Sequence, residues 1–289
     1  MQYNRRKFIK LTGGVTTGLA LGSISGLSFF SSCNDGAKPF GLQLYSLRDD
    51  MPKDPKGVLK QVASFGYKQV ESYQHAELGM FWGMSNLDFK KYMDELGMAI
   101  VSSHCDINLD FEKKAADAAA IGMKYLMCPY KGPQKSIDDF KRFADEFNQK
   151  GEICKKNGIR FAYHNHDYSF KAIDGQLPQD VMMQNTDPAL VDFEMDMYWV
   201  VTAGQDPVAW IKKYPKRFRL CHVKDRLKGA TETGASCTLG QGSIDYPTIL
   251  KEAKQLGMEY FIVEQERYDG TTPLKAAEAD AAYMKKLKV

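Results

Sequence analysis

A short unit recurs along this chain and restricts its fold more than any other feature: a helical run, one glycine, and at once a short apolar strand. It appears as Phe65-Gly66-Tyr67, Leu96-Gly97-Met98, Ile121-Gly122-Met123, Asn157-Gly158-Ile159 and Leu256-Gly257-Met258. Glycine suits the position just past a helix end because it takes a positive φ without a Cβ clash. Strands alternating with helices form a parallel sheet, since parallel neighbours need a crossover between them. Eight strands are predicted, near residues 40–45, 67–72, 98–103, 124–128, 159–164, 190–196, 218–222 and 260–266. Helices are predicted over 136–156, 206–214, 246–256 and 273–287. Ser85 and Ser136 are expected N-caps, each followed by acids in the first turn. Eight such units close into a (β/α)8 barrel of the α/β class. An open doubly wound sheet would place a Gly-rich phosphate turn after its first strand, and Leu44-Tyr45-Ser46-Leu47 stands there instead. The polar, Gly-rich stretch 226–243 reads as an active-site loop.

The first 33 residues lie outside this pattern. Asn4-Arg5-Arg6-Lys7-Phe8-Ile9-Lys10 resembles a twin-arginine export signal, and a weakly apolar stretch rich in Gly, Thr and Ser runs from Leu11 to Phe30. Residues 1–33 therefore read as a targeting segment, and 34–289 as one barrel domain; 44% hydrophobic content is ample for that core. Export predicts a periplasmic protein that touches a membrane only through this segment or a lipid on Cys33. Phe30 stands where a lipobox prefers Leu. Cys105, Cys128, Cys154, Cys221 and Cys237 show no CxxC pairing, so neither a zinc knuckle nor a disulfide framework is expected. With 39 basic against 36 acidic residues there is no footprint for nucleic acid.

In a barrel of this kind the chemistry gathers at the C-terminal ends of the strands. In chain order those ends offer Gln43, Tyr45 and Arg48; Glu71; His104; Pro129 and Lys131; His164, Asn165 and His166; Glu194 and Asp196; His222 and Lys224; Glu264 and Glu266. Four of the five histidines fall at strand ends, and only His75 lies further out. Core packing does not concentrate histidines and carboxylates in this way. Residues two apart on a strand share a face, which pairs His164 with His166, Glu194 with Asp196, His222 with Lys224 and Glu264 with Glu266. A mixed shell of imidazole and carboxylate suits one divalent metal ion, Mn, Co, Zn, Fe or Ni before Mg.

From residue 40 onward the chain resembles the xylose isomerase-like TIM-barrel superfamily of sugar phosphate isomerases and epimerases. The resemblance rests on Gly41-Leu42-Gln43-Leu44-Tyr45-Ser46-Leu47-Arg48, Gly66-Tyr67-Lys68-Gln69-Val70-Glu71, Tyr163-His164-Asn165-His166, Asp196 with Gly204-Gln205-Asp206-Pro207, Cys221-His222-Val223-Lys224-Asp225, Gly240-Gln241-Gly242-Ser243-Ile244-Asp245 and Phe261-Ile262-Val263-Glu264. It implies His164, Asp196, His222 and Glu264 as metal ligands. Three positions depart from the pattern: His164 stands where many relatives carry Glu, Trp199 where many carry a further His, and Gln241 within a turn that is usually Gly-Glu-Gly.

The chemistry implied is proton abstraction beside a carbonyl, with a divalent ion stabilising the enediolate. Glu264 is the expected base. His166 or His104 is the expected acid on the opposite side, and Lys224 a further catalytic candidate. Gln43, Tyr45, Arg48, Glu71 and Glu266 are candidate contacts to a sugar or keto-sugar substrate. Isomerisation or epimerisation is the first expectation. The alternative is elimination from a keto-sugar, as in an inosose dehydratase-like enzyme or a lyase acting on 3-keto-glycosides. An apurinic endonuclease and a metal-free sugar-binding protein are the remaining rivals.

Overall fold

The computed structural model describes residues 39–287. The export segment and Cys33 lie outside the described residues. Eight parallel strands close into a barrel: β1 (Gly41–Gln43), β2 (Gln69–Tyr73), β3 (Ala99–His104), β4 (Tyr125–Cys128), β5 (Arg160–His164), β6 (Val191–Asp196), β7 (Phe218–Val223) and β10 (Tyr260–Val263). Each strand hydrogen-bonds its sequence neighbours, and β10 returns to β1 through Gly41↔Ile262 and Leu42↔Val263.

All five glycines of the repeating unit have positive φ, from +64° at Gly97 to +101° at Gly257. The expected caps form as well: Ser85 Oγ accepts from the Asp88 amide, opening α2 (Asn86–Glu95), and Ser136 Oγ from the Asp138 amide, opening α4 (Ile137–Lys156). The helices expected near 206, 246 and 273 appear as α7 (Pro207–Lys213), α8 (Tyr246–Gln255) and α9 (Pro273–Lys286). Four more complete the ring among the described residues: α1 (Pro55–Phe65), α3 (Phe111–Ala120), α5 (Pro178–Asn185) and α6 (Met197–Thr202). No described helix is long and apolar enough to cross a membrane.

Two expectations change. The first strand ends at Gln43, because the Gln43 side chain accepts the Tyr45 amide and starts a 3-10 turn over Leu44–Leu47. The last barrel strand ends at Val263, so Glu264 and Glu266 lie just beyond it. The 226–243 stretch is also more ordered than a plain loop. Its ends form a hairpin, β8 (Asp225–Arg226) with β9 (Ser236–Cys237), and the Asp225 carboxylate accepts the amides of Arg226, Gly240, Gly242 and Ile244.

Alternation along the strands sorts the core. Val101, Tyr125, Met127, Ala162, Leu220 and Ile262 form a separate apolar cluster, which fills the lower barrel, while a larger cluster packs strands on helices. Two residues further along those strands come His164, His222 and Glu264, so the apolar layer carries a polar one directly above it. On β3 a register shift opposite Val70/Glu71 re-phases the strand, which turns Ser102 and His104 toward that layer. The cysteines behave as small buried groups: Cys105, Cys128, Cys154, Cys221 and Cys237 are all buried and form no disulfide among the described residues.

Candidate metal centre and its cavity

Strand ends bring the titratable groups together in two tiers. The lower tier is buried, with His104 at its edge. Glu71 Oε1 lies 2.8 Å from His222 Nε2 and 3.1 Å from His104 Nε2. Glu194 Oε2 lies 3.0 Å from His104 Nε2, 3.0 Å from His164 Nδ1 and 3.2 Å from His222 Nε2. Gln43 Nε2 donates to Glu71 Oε1 at 2.7 Å, and Ser102 Oγ donates to Glu71 Oε2 at 2.5 Å.

The upper tier uses the other nitrogens of the same imidazoles. His222 Nδ1 lies 3.2 Å from Glu264 Oε2 and 3.6 Å from Asp196 Oδ2. His164 Nε2 is 3.9 Å from Asp196 Oδ2. Asp196 Oδ1 accepts the Trp199 amide, but Oδ2 is buried with no hydrogen-bond partner. A buried carboxylate oxygen in that condition is costly unless a cation balances it. Asp196, His222 and Glu264 present donor atoms within 4.8 Å of one another, so the cluster could hold a metal ion. The set fits such an ion, with His164 as a fourth donor and Glu71 and Glu194 orienting the imidazoles from below. A second close group, His104, His164, Glu194 and His222, belongs to the lower tier.

The electrostatics follow from burial and pairing. Burial holds His164 well below the usual imidazole range, and the neighbouring imidazoles push the same way, so it stays neutral as a ligand must. Burial likewise lowers His166 to about 4. Burial opposes charge on His104 and His222, but Glu71 and Glu194 carry His104 up to about 9, and Glu194 and Glu264 hold His222 well above its ordinary value, so an ion at His222 Nδ1 would bind in exchange for a proton. Burial, reinforced by Glu71, pushes Glu194 up to about 7. Burial would also raise Glu264, yet the Lys224 ammonium and His222 keep it well below the carboxylate range.

Above these tiers opens a cavity of about 380 Å³. His104, His164, His166, Trp199, Glu264 and Glu266 line one part; Tyr45, Tyr73, Gln74, Cys105, Asp106, Pro129 and Tyr130 line the rest. The sequence-derived candidates thus divide. Tyr45, His104, His164, His166, Glu264 and Glu266 reach the cavity. Gln43 and Glu71, expected to touch sugar hydroxyls, are fully buried beneath it and turned to protein groups. Arg48 donates to the Glu266 carbonyl at 3.1 Å. Lys224 is buried beside the upper tier, 3.1 Å from Glu264 Oε2 and paired with Glu266. Glu194 had been noted only as the same-face partner of Asp196; two residues earlier on an inward face is one layer deeper, which is why it orients ligands. Tyr73, Gln74, Cys105, Asp106 and Tyr130 were not singled out. Each sits within a few residues of a strand end, and that position was the only signal.

Residues 59–287 match the model of the xylose isomerase-like TIM barrel. The chain belongs to that family. Within it, a solved structure of a sugar phosphate isomerase/epimerase from Parabacteroides distasonis is 32% identical, covers 91% of this chain and 98% of its own, and superposes with a TM-score of 0.75. A protein named IolI, solved with a bound zinc atom, shares the fold at 14% identity and a TM-score of 0.71, covering 84% of this chain and 95% of its own. Inosose dehydratase from Clostridium perfringens is 28% identical over 51% of this chain and 54% of the relative. The chain thus spans about half the length of the curated relatives it matches. The barrel fold and the family inferred from residue 40 onward are both borne out.

Proposed function

We propose that this family member is a divalent-metal-dependent sugar isomerase or epimerase that abstracts a proton beside a carbonyl. The observation that carries the reading is Asp196 Oδ2, buried without a hydrogen-bond partner beside His164 Nε2, His222 Nδ1 and Glu264, two of which, His164 and Glu264, line an open cavity. The donor set of two imidazole nitrogens and two carboxylates favours Mn, Co, Zn, Fe or Ni over Mg. A bound ion supplies positive charge that stabilises an enediolate oxygen.

The chain's own groups supply the proton transfers. Glu264 faces the cavity and is held ionised, so it is ready to accept a proton. His166 faces the cavity as a neutral ring with Nδ1 buried and unpartnered, and His104 lines it as a protonated one. Lys224 holds Glu264 and Glu266 in place and balances their charge.

The substrate is an uncharged sugar or keto-sugar. No Lys or Arg side chain is among the residues lining the cavity, while Asp106, Glu264 and Glu266 are. The same lining speaks against a phosphodiester substrate. Export to the periplasm, directed by residues 1–33, agrees with an unphosphorylated substrate.

One feature favours elimination as the second reading. With His at position 164 the carboxylates facing the cavity floor, Glu264 and Glu266, follow one strand, and imidazoles stand on β3 and β5. A base on one side and an imidazole acid on the other suit loss of a leaving group. The test is incubation of the metal-supplemented protein with keto-sugars in deuterium oxide. Deuterium gained at the carbon beside the carbonyl, dependent on metal and lost in Glu264→Gln, is the expected result. Its absence from every sugar tried overturns the reading, and release of water or an alcohol assigns elimination.

A further inference from the structure

A second cavity, of about 410 Å³, opens at the other end of the barrel. Tyr125, Arg160, Asp192, Arg219 and Tyr260 are the first or second residues of β4, β5, β6, β7 and β10, so the cavity lies where those strands begin. Tyr125 and Tyr260 stand edge-to-face at 6.0 Å and pack with the apolar cluster of the lower barrel. That layer stands between this cavity and the candidate metal centre.

The charged lining is four cations, Lys124, Arg160, Lys216 and Arg219, and two carboxylates, Asp192 and Glu259. Both carboxylates are taken. The buried Asp192 receives Arg160 through Nε and, at 3.0 Å, through Nη2, and the Pro188 and Ala189 carbonyls accept from the same guanidinium at 2.9 and 3.1 Å. Glu259 pairs with Arg219. Lys124 and Lys216 are exposed and make no ion pair among the described residues. Two positive charges are therefore left over in a concave site. The upper cavity is the reverse, with carboxylates and no Lys or Arg in its lining.

Lys216 carries a further mark. Its φ is +65°, in the left-handed region that glycine takes more easily, and its amide donates to the Leu256 carbonyl at 3.1 Å. The backbone thus pins the root of this lysine at the cavity. The last turns of α4, α7, α8 and α9 end at the same face and carry lysine as well, which adds to the positive potential around the mouth. Two unpaired ammonium groups beside an anchored guanidinium match a phosphoryl group, whose charge balances theirs and whose oxygens accept from several donors at once.

We propose that the cavity at the strand starts is a phosphate-binding site, separate from the candidate metal centre. It takes the phosphoryl group of a small molecule or of a lipid headgroup, and Lys124 and Lys216 hold it.

The first arm of the test is calorimetry with inorganic phosphate at neutral pH and low salt. Saturable binding of one phosphate per chain is expected. Lys124→Gln combined with Lys216→Gln weakens it about tenfold or more, since two charge-assisted contacts are lost. Lys155→Gln combined with Lys156→Gln removes equal charge from the same face outside the cavity, and leaves the affinity within about twofold. The second arm is sedimentation with vesicles of phosphatidylcholine, alone or mixed with phosphatidylglycerol. Extra sedimentation on the anionic vesicles that only the cavity pair loses assigns a lipid headgroup. Phosphate binding without it assigns a small molecule. Failure of both arms overturns the site. So does phosphate binding that the cavity pair keeps, or a loss that the two pairs share equally, which would leave only diffuse surface charge.

Discussion

Glu71 meets His222 from beneath the candidate metal centre: its Oε1 lies 2.8 Å from Nε2 and leaves Nδ1 turned toward Asp196 and Glu264. The carboxylate fixes both the tautomer and the angle of the ring that offers Nδ1. Glu71→Gln keeps the volume but removes the charge. Its metal affinity is expected to fall about 10–100-fold, as outer-shell substitutions usually do. Competition with a chromogenic chelator measures this, and an unchanged affinity would dismiss the orienting role.

Lys224 answers for the carboxylates above it. Its ammonium is buried and lies 3.1 Å from Glu264. Lys224→Met strips a buried ion pair of one partner and should destabilise the fold by about 3–5 kcal/mol in urea titrations. Adding Glu266→Gln should recover part of the loss, because one of the stranded carboxylates is then neutral. Equal stability of the single and double variants would contradict the pairing.

Asp196→Asn separates metal binding from folding. The wild-type melting temperature should rise with added metal, by an amount equivalent to about 2.7 kcal/mol at a hundredfold excess over Kd. The variant keeps the side chain's volume and its cap on the Trp199 amide but removes a donor oxygen, and should show no rise. A metal-dependent rise that survives in the variant would move the site elsewhere.

Away from the centre, burial pushes the Asp280 carboxyl up to about 7, although its Oδ1 accepts the Leu239 amide at 2.8 Å. Below about pH 4 the group is protonated in folded and unfolded chains alike. Between there and about 7 the unfolded chain ionises first, so stability declines through that window and levels off above it. Asp280→Asn should lack this decline. Its melting temperature relative to wild type is therefore expected to climb between pH 4 and 7. Parallel curves for the two proteins would count against the shift.

The barrel was legible because each turn of chain wrote its own boundary. Gly66, Gly97, Gly122, Gly158 and Gly257 needed positive φ, and each stands where a strand begins at once. The upper tier was legible by parity and by resemblance, since His164, Asp196, His222 and Glu264 all sit at strand ends. The lower tier was not, because depth depends on strand stagger. Glu71 looked like a substrate contact until its height in the barrel was known, and a one-residue shift on β3 decided where His104 points. The aromatic residues lining the cavity escaped for another reason. Tyr73 ends β2 and Tyr130 lies just past β4, in a chain with fifteen tyrosines, so nothing in the pattern set them apart.

The turn over Asp225 carries a consequence for how this family can vary. A Cβ at Gly242 would come within 2.1 Å of Asp225 Oδ1, and Gly240 sits at φ +83°. Gly242 is therefore dictated by a carboxylate that reads amides alone, and Gly240 by its backbone angle and by the Tyr283 ring, which a Cβ would meet at 2.7 Å. The residue between them is exposed, and its side chain has no part in the clasp. Position 241 is thus interchangeable as far as this clasp is concerned, and the Gln found there in place of the usual Glu leaves the clasp unchanged.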